Sequence, residues 1–357
     1  MKVIPDMSVK FSVCIPVWND AEWLSGAIES VLAQRYQDWE LVIGDNASTQ
    51  DVASVVARYP DSRIRYHRWE HHTDAYENFN RASQLGRYDW VQPVSADDRL
   101  EPDCLQVMAE RLENASTMHV RIGAVITNCK RLDPEGNPAD VTFAGHQRTT
   151  PIRDGTYSGP EWLDVMSMPR QAPWNIGSIA FSREILVESG WFRPDIGYGA
   201  DLELVLRVAA YGSIIYIEDK LFIYTVRGVS DSLARSLRTL TDPRTPMRAA
   251  WESAIRAHSA ASPMPDARLK RIRDVMARSH IQRALQQRLW SETDQRRKAA
   301  QDVYRAFSLR PGLLLSPWHL GAASLAVVAP KAAISLSLQR LTAYRRGVQN
   351  PAALWRV

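Results

Sequence analysis

The chain alternates short, continuously apolar runs with segments in which apolar positions recur every three or four residues. Residues 11–17 (Phe-Ser-Val-Cys-Ile-Pro-Val) form the first run, the pattern of a strand covered on both faces in a parallel sheet. From 21 to 34, Leu24, Ala27, Ile28, Val31 and Leu32 draw one helical stripe that faces the sheet, and Asp20 stands ready to cap it. The alternation continues with strands predicted over 39–44 and 63–69, helices over 52–59 and 74–85, and a strand over 90–94. Pro102 falls where the first helical position of a segment over 102–114 would be. Further strands are predicted over 123–132 and 176–181, helices over 183–189 and 201–211, and one or two strands within 214–226. Residues 133–138 read as a turn, and 140–173 show no clear period. Strands alternating with helices over short links imply right-handed crossovers and an α/β fold, Rossmann-like, with a mainly parallel sheet and helices on both faces.

A chain of 357 residues exceeds one small domain. The pattern divides it into a body over 1–235, with halves at about 9–115 and 116–235, and a helical region over 236–357. Charge sharpens that division. Residues 1–234 hold 22 Lys+Arg against 33 Asp+Glu, a balance of −11, while 235–357 hold 22 against 7, or +15. A basic tail seeks a polyanion, either nucleic acid or the anionic face of a bilayer. The uncharged stretch 311–330 within it favours the bilayer, although Pro311, Pro317, Pro330, Gly312 and Gly321 argue against a continuous spanning helix. A segment lying in the interface fits better, each flanking cation adding about 1 kcal/mol of attraction to anionic lipid. The expected partner of 236–357 is therefore an anionic membrane surface, with no nucleic acid. Cys14, Cys104 and Cys129 are odd in number and lie in apolar runs, which indicates neither a disulfide framework nor a zinc site. The N-terminus turns polar too soon for a signal peptide, so the expected location is cytoplasmic, peripheral on the inner face of the membrane.

The chemistry centres on residues 88–103. The apolar run ending at Val94 delivers two adjacent carboxylates, Asp97 and Asp98, to a strand end, where open α/β sheets bind ligands. Neighbouring acids repel, so a cation or a set of ligand hydroxyls accounts for them; a solvated turn is the alternative. A dinucleotide oxidoreductase is excluded, because Pro16-Val17-Trp18-Asn19 stands where a Gly-x-Gly-x-x-Gly would be needed.

Three stretches in order resemble the inverting glycosyltransferases of family 2. The first is Val13-Cys14-Ile15-Pro16-Val17-Trp18-Asn19-Asp20 with Asp45-Asn46-Ala47-Ser48-Thr49. The second is Asn80-Arg81-Ala82 leading to Ser95-Ala96-Asp97-Asp98, and the third is Ala200-Asp201-Leu202-Glu203. The resemblance spans about 9–227 and implies the GT-A fold, a nucleotide-diphosphate sugar donor, expected to be a UDP-sugar, and a divalent cation, Mn2+ or Mg2+. It implies that Val17 and Trp18 hold the base, the indole stacking on it, and that Asp45 accepts the imide proton beside Asn46. Asp97 would take the ribose hydroxyls, Asp98 the cation that also holds the diphosphate, and Asn80 would face the nucleotide sugar, with Arg81 beside it. Ser95, Asn46 and Ala200 stand where the family often has acids.

An inverting transfer is a single displacement that needs one carboxylate on the acceptor side. The resemblance assigns it to Asp201; a helix cap is the alternative reading. Trp174 and Asn175 are further acceptor-side residues. The implied function is transfer of one sugar to a hydroxyl of a glycan or lipid-linked acceptor in bacterial surface polysaccharide synthesis. The alternative is a catalytically silent, sugar-nucleotide-binding partner of another transferase.

Overall fold

The computed structural model describes residues 8–139, 152–167, 175–197, 199–227, 244–261 and 264–274, with isolated helical positions beyond. Residues 1–264 and 265–357 form two compact units. Of the second, residues 266–274 are helical and Ile272 is buried. Among the described residues no helix is long and apolar enough to cross a membrane. The stretch 311–330 lies outside the described residues save for Ala323, as do Trp174 and most of the irregular segment.

The first unit begins β1 (Phe11–Val17), α1 (Ala21–Leu32), β2 (Trp39–Asp45), α2 (Val52–Val56), β3 (Ile64–Arg68), α3 (Ala75–Gln84), β4 (Trp90–Pro93). All four strands run parallel, and every residue of β1 and β2 is buried, as mostly apolar strands covered on both faces are, with Ser12 donating to the buried Glu40 (2.8 Å). Phe11, Ile15, Leu24, Ile28, Trp39 and Ile43 fill the core between this sheet and α1. Asn19 fixes the links: its Oδ1 accepts from Thr49 N (2.8 Å), and its own N–H donates to Ser48 Oγ (3.1 Å).

Beyond β4 come β5 (Arg99–Leu100), α4 (Cys104–Thr117), β6 (Ile122–Leu132), β7 (Gly155–Tyr157), α5 (Gly159–Met166), β8 (Ile179–Ser182), α6 (Arg183–Ser189), α7 (Ala200–Val208), β9 (Ser213–Thr225) and a last helix, α8 (Arg244–Ala261). The nine-stranded sheet runs β3-β2-β1-β4-β8-β6-β9-β5, with β7 also on β9. It is mainly parallel; β5, β7 and β8 run against the rest. Pro102 does not open a helix, since α4 starts at Cys104 after Asp103. The aperiodic 140–173 also contains structure. Ser158 and Glu161 form a capping box, each side chain reaching back to the other's backbone, and start α5. Gly159 then lies so close to the end of α7 that a Cβ would stand 1.9 Å from the Ala209 carbonyl oxygen. The three cysteines are buried and free.

α7 is held by a buried ion pair. Arg207 donates through Nε and Nη2 to the two oxygens of Glu203 (2.8 and 3.0 Å), and Ser253 of α8 donates to Glu203 Oε1 (2.6 Å). Glu203 is fully buried, so Glu203→Gln leaves a buried guanidinium short of its counter-charge. Chemical denaturation is expected to report a loss on the order of 3 kcal/mol.

Candidate functional site

β1 and β2 pair in register from Phe11↔Trp39 to Val17↔Asp45, so Val17, Trp18, Asp45 and Asn46 emerge together at the C-terminal edge of the sheet, with Asn46 N–H donating to Val17 O (2.9 Å). Trp18 is exposed, and the His72 ring lies 4.4 Å from it. Asn46 is buried and committed to the following loop: Oδ1 accepts from Thr73 N (2.9 Å), while Nδ2 donates to Thr73 O (2.9 Å) and meets His72 Nδ1 at 3.0 Å. Asp45 is fully buried. Ser48 N donates to its Oδ1 (2.8 Å), and Tyr66 Oη (2.7 Å) and Arg68 Nη1 (2.6 Å) donate to Oδ2. Burial alone would raise this carboxyl, but these bonds outweigh it and hold Asp45 below the usual carboxylate range. The Tyr66 phenol is pushed up to about 12, by burial first and then by Asp45.

The paired acids sit in the tight turn between β4 and β5. β5 is only two residues long, yet its pairing with β9 (Arg99↔Ile223) brings the end of β9 alongside them. Asp98 is fully buried: Oδ1 accepts from Thr225 N (2.9 Å), and Oδ2 has no hydrogen-bond partner among the described residues. Asp97 pairs with Arg227 Nη2 at 2.7 Å, and Arg227 Nη1 pairs with Asp20 Oδ1 at the same distance. Asp20 occupies the N-cap position of α1 but makes no side-chain cap; its carboxylate is spent on Arg227. Burial, followed by the charge of Asp97, pushes Asp98 well above the carboxylate range. Asp97 is also raised, by burial against the opposing pull of Arg227.

Arg227 is thus shared by two carboxylates, Asp20 and Asp97, one positive charge short of their sum, and the third, Asp98, lies beside Asp97 with a buried, unbonded oxygen. Hard oxygen donors with that deficit fit a divalent cation whose remaining ligands come from phosphate and water. No group of three or more His, Cys, Asp or Glu able to hold a metal occurs among the described residues. Sequence reasoning missed Asp20 and Arg227 as members of the site. Each is tens to hundreds of residues from the paired acids, and the only sequence signal was an uncompensated acidic pair facing a basic residue just after the final strand.

Asp201 lies in the first turn of α7. Gly199, with φ 113°, takes the N-cap position, so the cap reading of Asp201 does not hold. The turn before it also uses Gly197 at φ 64°. Asp201 Oδ1 accepts from Leu202 N (2.8 Å), and burial pushes the carboxyl above its ordinary value. Asn80 of α3 is buried and bonds the backbone of Phe192. Asn175 caps the short turn Ile176–Ser178, its Oδ1 accepting from Gly177 N (3.0 Å).

A mainly parallel sheet with a carboxylate cluster at its C-terminal edge defines an α/β protein whose ligand edge is the one open sheets of this kind use. The sequence model of "Glycosyl transferase family 2" matches residues 12–155, and the chain carries a family 2 glycosyltransferase domain on the GT-A fold. The succinoglycan biosynthesis protein ExoO of Rhizobium meliloti is 30% identical over 112 residues, covering 31% of each chain. Staphylococcus aureus TarS in complex with UDP superposes with a TM-score of 0.61 at 14% identity, over 95% of this chain and 92% of that one. A mannosyltransferase from Pyrobaculum calidifontis, PcManGT, in complex with GDP-Man and Mn2+ gives 0.55 at 18% identity, over 98% and 85%. Matches to the first curated relatives span from a third to two-thirds of those proteins' lengths.

Proposed function

We propose that the protein is an inverting, cation-dependent transferase that moves a sugar from a nucleoside diphosphate, UDP, to a hydroxyl of a glycan or lipid-linked acceptor. The observation that carries this reading is the buried, unpartnered Oδ2 of Asp98 beside Asp97, Asp20 and Arg227. Trp18 offers an exposed indole face to the base, Asp45 and Asn46 shape the floor beneath it, and Asn80 belongs to the same half. Asp97 takes the ribose hydroxyls and Asp98 holds the cation, Mn2+ or Mg2+. When bound, such a cation neutralises charge on the departing diphosphate. Arg227 adds a fixed positive charge at the same edge and keeps Asp97 and Asp20 paired while no donor is present. Asp201 removes the acceptor proton on the opposite side. Work on surface polysaccharide suits the likeness to a succinoglycan biosynthesis protein, and attachment of 236–357 to an anionic membrane would bring the domain to a lipid-linked acceptor.

Saturation-transfer NMR against UDP- and GDP-sugars, with and without Mn2+, followed by assays of nucleotide release, tests the reading. Cation-dependent binding of one nucleotide sugar with turnover is the expected result. Tight UDP binding without turnover on a broad acceptor panel would instead identify the silent partner. Trp18→Ala removes a stacking face worth about 1–3 kcal/mol. Calorimetry is expected to show UDP affinity reduced by about 5- to 150-fold, with the folded state unchanged.

A further inference from the structure

On the transferase reading above, Asn80 has a role set by the residues it bonds. Asn80 is 6% exposed. Its Oδ1 accepts from Phe192 N–H and its Nδ2 donates to Phe192 O, both at 2.9 Å, across 112 residues of sequence. One side-chain amide therefore does for a single residue what a neighbouring strand would do, closing a two-bond ring on its backbone. Nδ2 also approaches Glu77 Oε2 at 3.4 Å. A donor sugar could recruit this amide only by stripping a buried N–H and C=O of their partners, and buried polar groups left unpaired are costly.

The segment that Asn80 grips is held on its other side by α7. Arg207 Nη1 donates to Ser189 O and Gly190 O (2.6 Å each), and Nη2 donates to Trp191 O (2.7 Å). The same guanidinium binds Glu203, which Ser253 of α8 also bonds. Phe192 is itself wedged among rings, with centroids 5.8 Å from Tyr76, 5.7 Å from Phe79 and 6.4 Å from Phe181. The turn 189–192 is thus clamped between α3, which belongs to the donor half, and α7, whose first turn carries Asp201. Asp201 follows Phe192 by only nine positions.

We infer that Asn80 is a positioning residue: through the Phe192 backbone and the Arg207–Glu203 pair it fixes Asp201 relative to the donor-binding edge, and it does not itself contact the donor. Geometry of this kind acts on turnover, since small displacements of a catalytic group weaken the chemical step more than they weaken ground-state binding.

The test compares Asn80→Ala with the wild-type chain, and adds Asn80→Ser, whose shorter side chain keeps a polar group facing Phe192, should the alanine variant fail to fold. Three quantities are read: UDP affinity by calorimetry, turnover per UDP-binding site as UDP release from the UDP-sugar selected by the NMR panel, and amide exchange over 189–208. The expected result is UDP affinity and donor KM within about twofold of wild type, kcat lower by about 10- to 100-fold, a displaced low-pH limb of kcat, and faster exchange at Phe192 and the first turn of α7. The serine variant falls between. A tenfold or greater rise in donor KM with kcat retained would make Asn80 a donor ligand and overturn the inference. Unchanged exchange over 189–208, or unchanged kcat and pH limb per binding site, would overturn it as well. A wild-type chain that turns over no nucleotide sugar defeats the transferase reading instead, and the exchange measurement then still decides whether Asn80 clamps α7.

Discussion

Asp98→Asn is expected to lower turnover by about a thousandfold or more and to remove its dependence on Mn2+. The figure follows from the energetics: a cation set against the charge of a leaving diphosphate is worth several kcal/mol of barrier, and about 1.4 kcal/mol corresponds to each factor of ten. Asparagine is close to isosteric and keeps the oxygen that accepts from Thr225 N, so the turn between β4 and β5 should survive. What it loses is the charge on a fully buried group beside Asp97. In the absence of a cation that charge is a liability, because burial and a like-charged neighbour both oppose ionisation. The melting temperature of the variant without added metal is therefore expected to match or exceed that of the wild type. With Mn2+ and UDP the order reverses, since only the wild type gains stability from ligands that bind the folded state. Thermal shift with and without Mn2+, beside a UDP-release assay, reads both effects. Full turnover of the variant in the presence of a chelator would remove the cation from the mechanism.

The N-terminal half of the sheet was legible in the sequence because its strands are buried on both faces. Phe11–Val17 is apolar but for Ser12 and Trp39–Gly44 but for Glu40, and the stripe through Leu24, Ile28 and Val31 could face nothing but that sheet. The elements that escaped are those with no room for a period. β5 has two residues, and β7 has three. α5 did leave a signal, the Ser158-x-x-Glu161 capping box ahead of Trp162 and Leu163, with Pro160 in the first turn where it is tolerated, but eight residues are too few for a period to stand out. The same limit applies to the site. Asp97, Asp98 and Asp45 announce themselves by following apolar runs. Arg227 cannot, because its partners Asp20 and Asp97 become neighbours only once β9 has crossed the sheet and paired with β5. Asp20 was read as a cap because local chemistry favours that, and a long-range ion pair won the carboxylate instead.

Asp201→Asn is expected to reduce kcat by about 10²- to 10⁴-fold, the range ascribed to a positioned general base, while leaving UDP affinity unchanged. The pH dependence gives the sharper test. Burial raises the Asp201 carboxyl above its ordinary value, against the smaller opposing pull of the Leu202 and Asp201 backbone N–H groups. A base works when deprotonated, so activity is present above the folded-state pKa and is lost as pH falls through it. The acidic limb of the wild-type profile should therefore lie above the value of about 3.9 for an unperturbed aspartate, and it should vanish from the residual activity of the variant. Stability carries the opposite sign from an ordinary salt-bridged acid. The folded protein binds this proton more tightly than the unfolded chain, so Asp201 costs stability as pH rises from the unfolded value through the folded one. The asparagine variant is accordingly expected to be as stable as the wild type at neutral pH, or more so, and the gain should disappear in acid. A residue serving only to start α7 would behave differently, because Gly199 already takes the N-cap position and replacing Asp201 would then leave the pH limb where it was. An acidic limb that persists unshifted in Asp201→Asn would place the base on another residue.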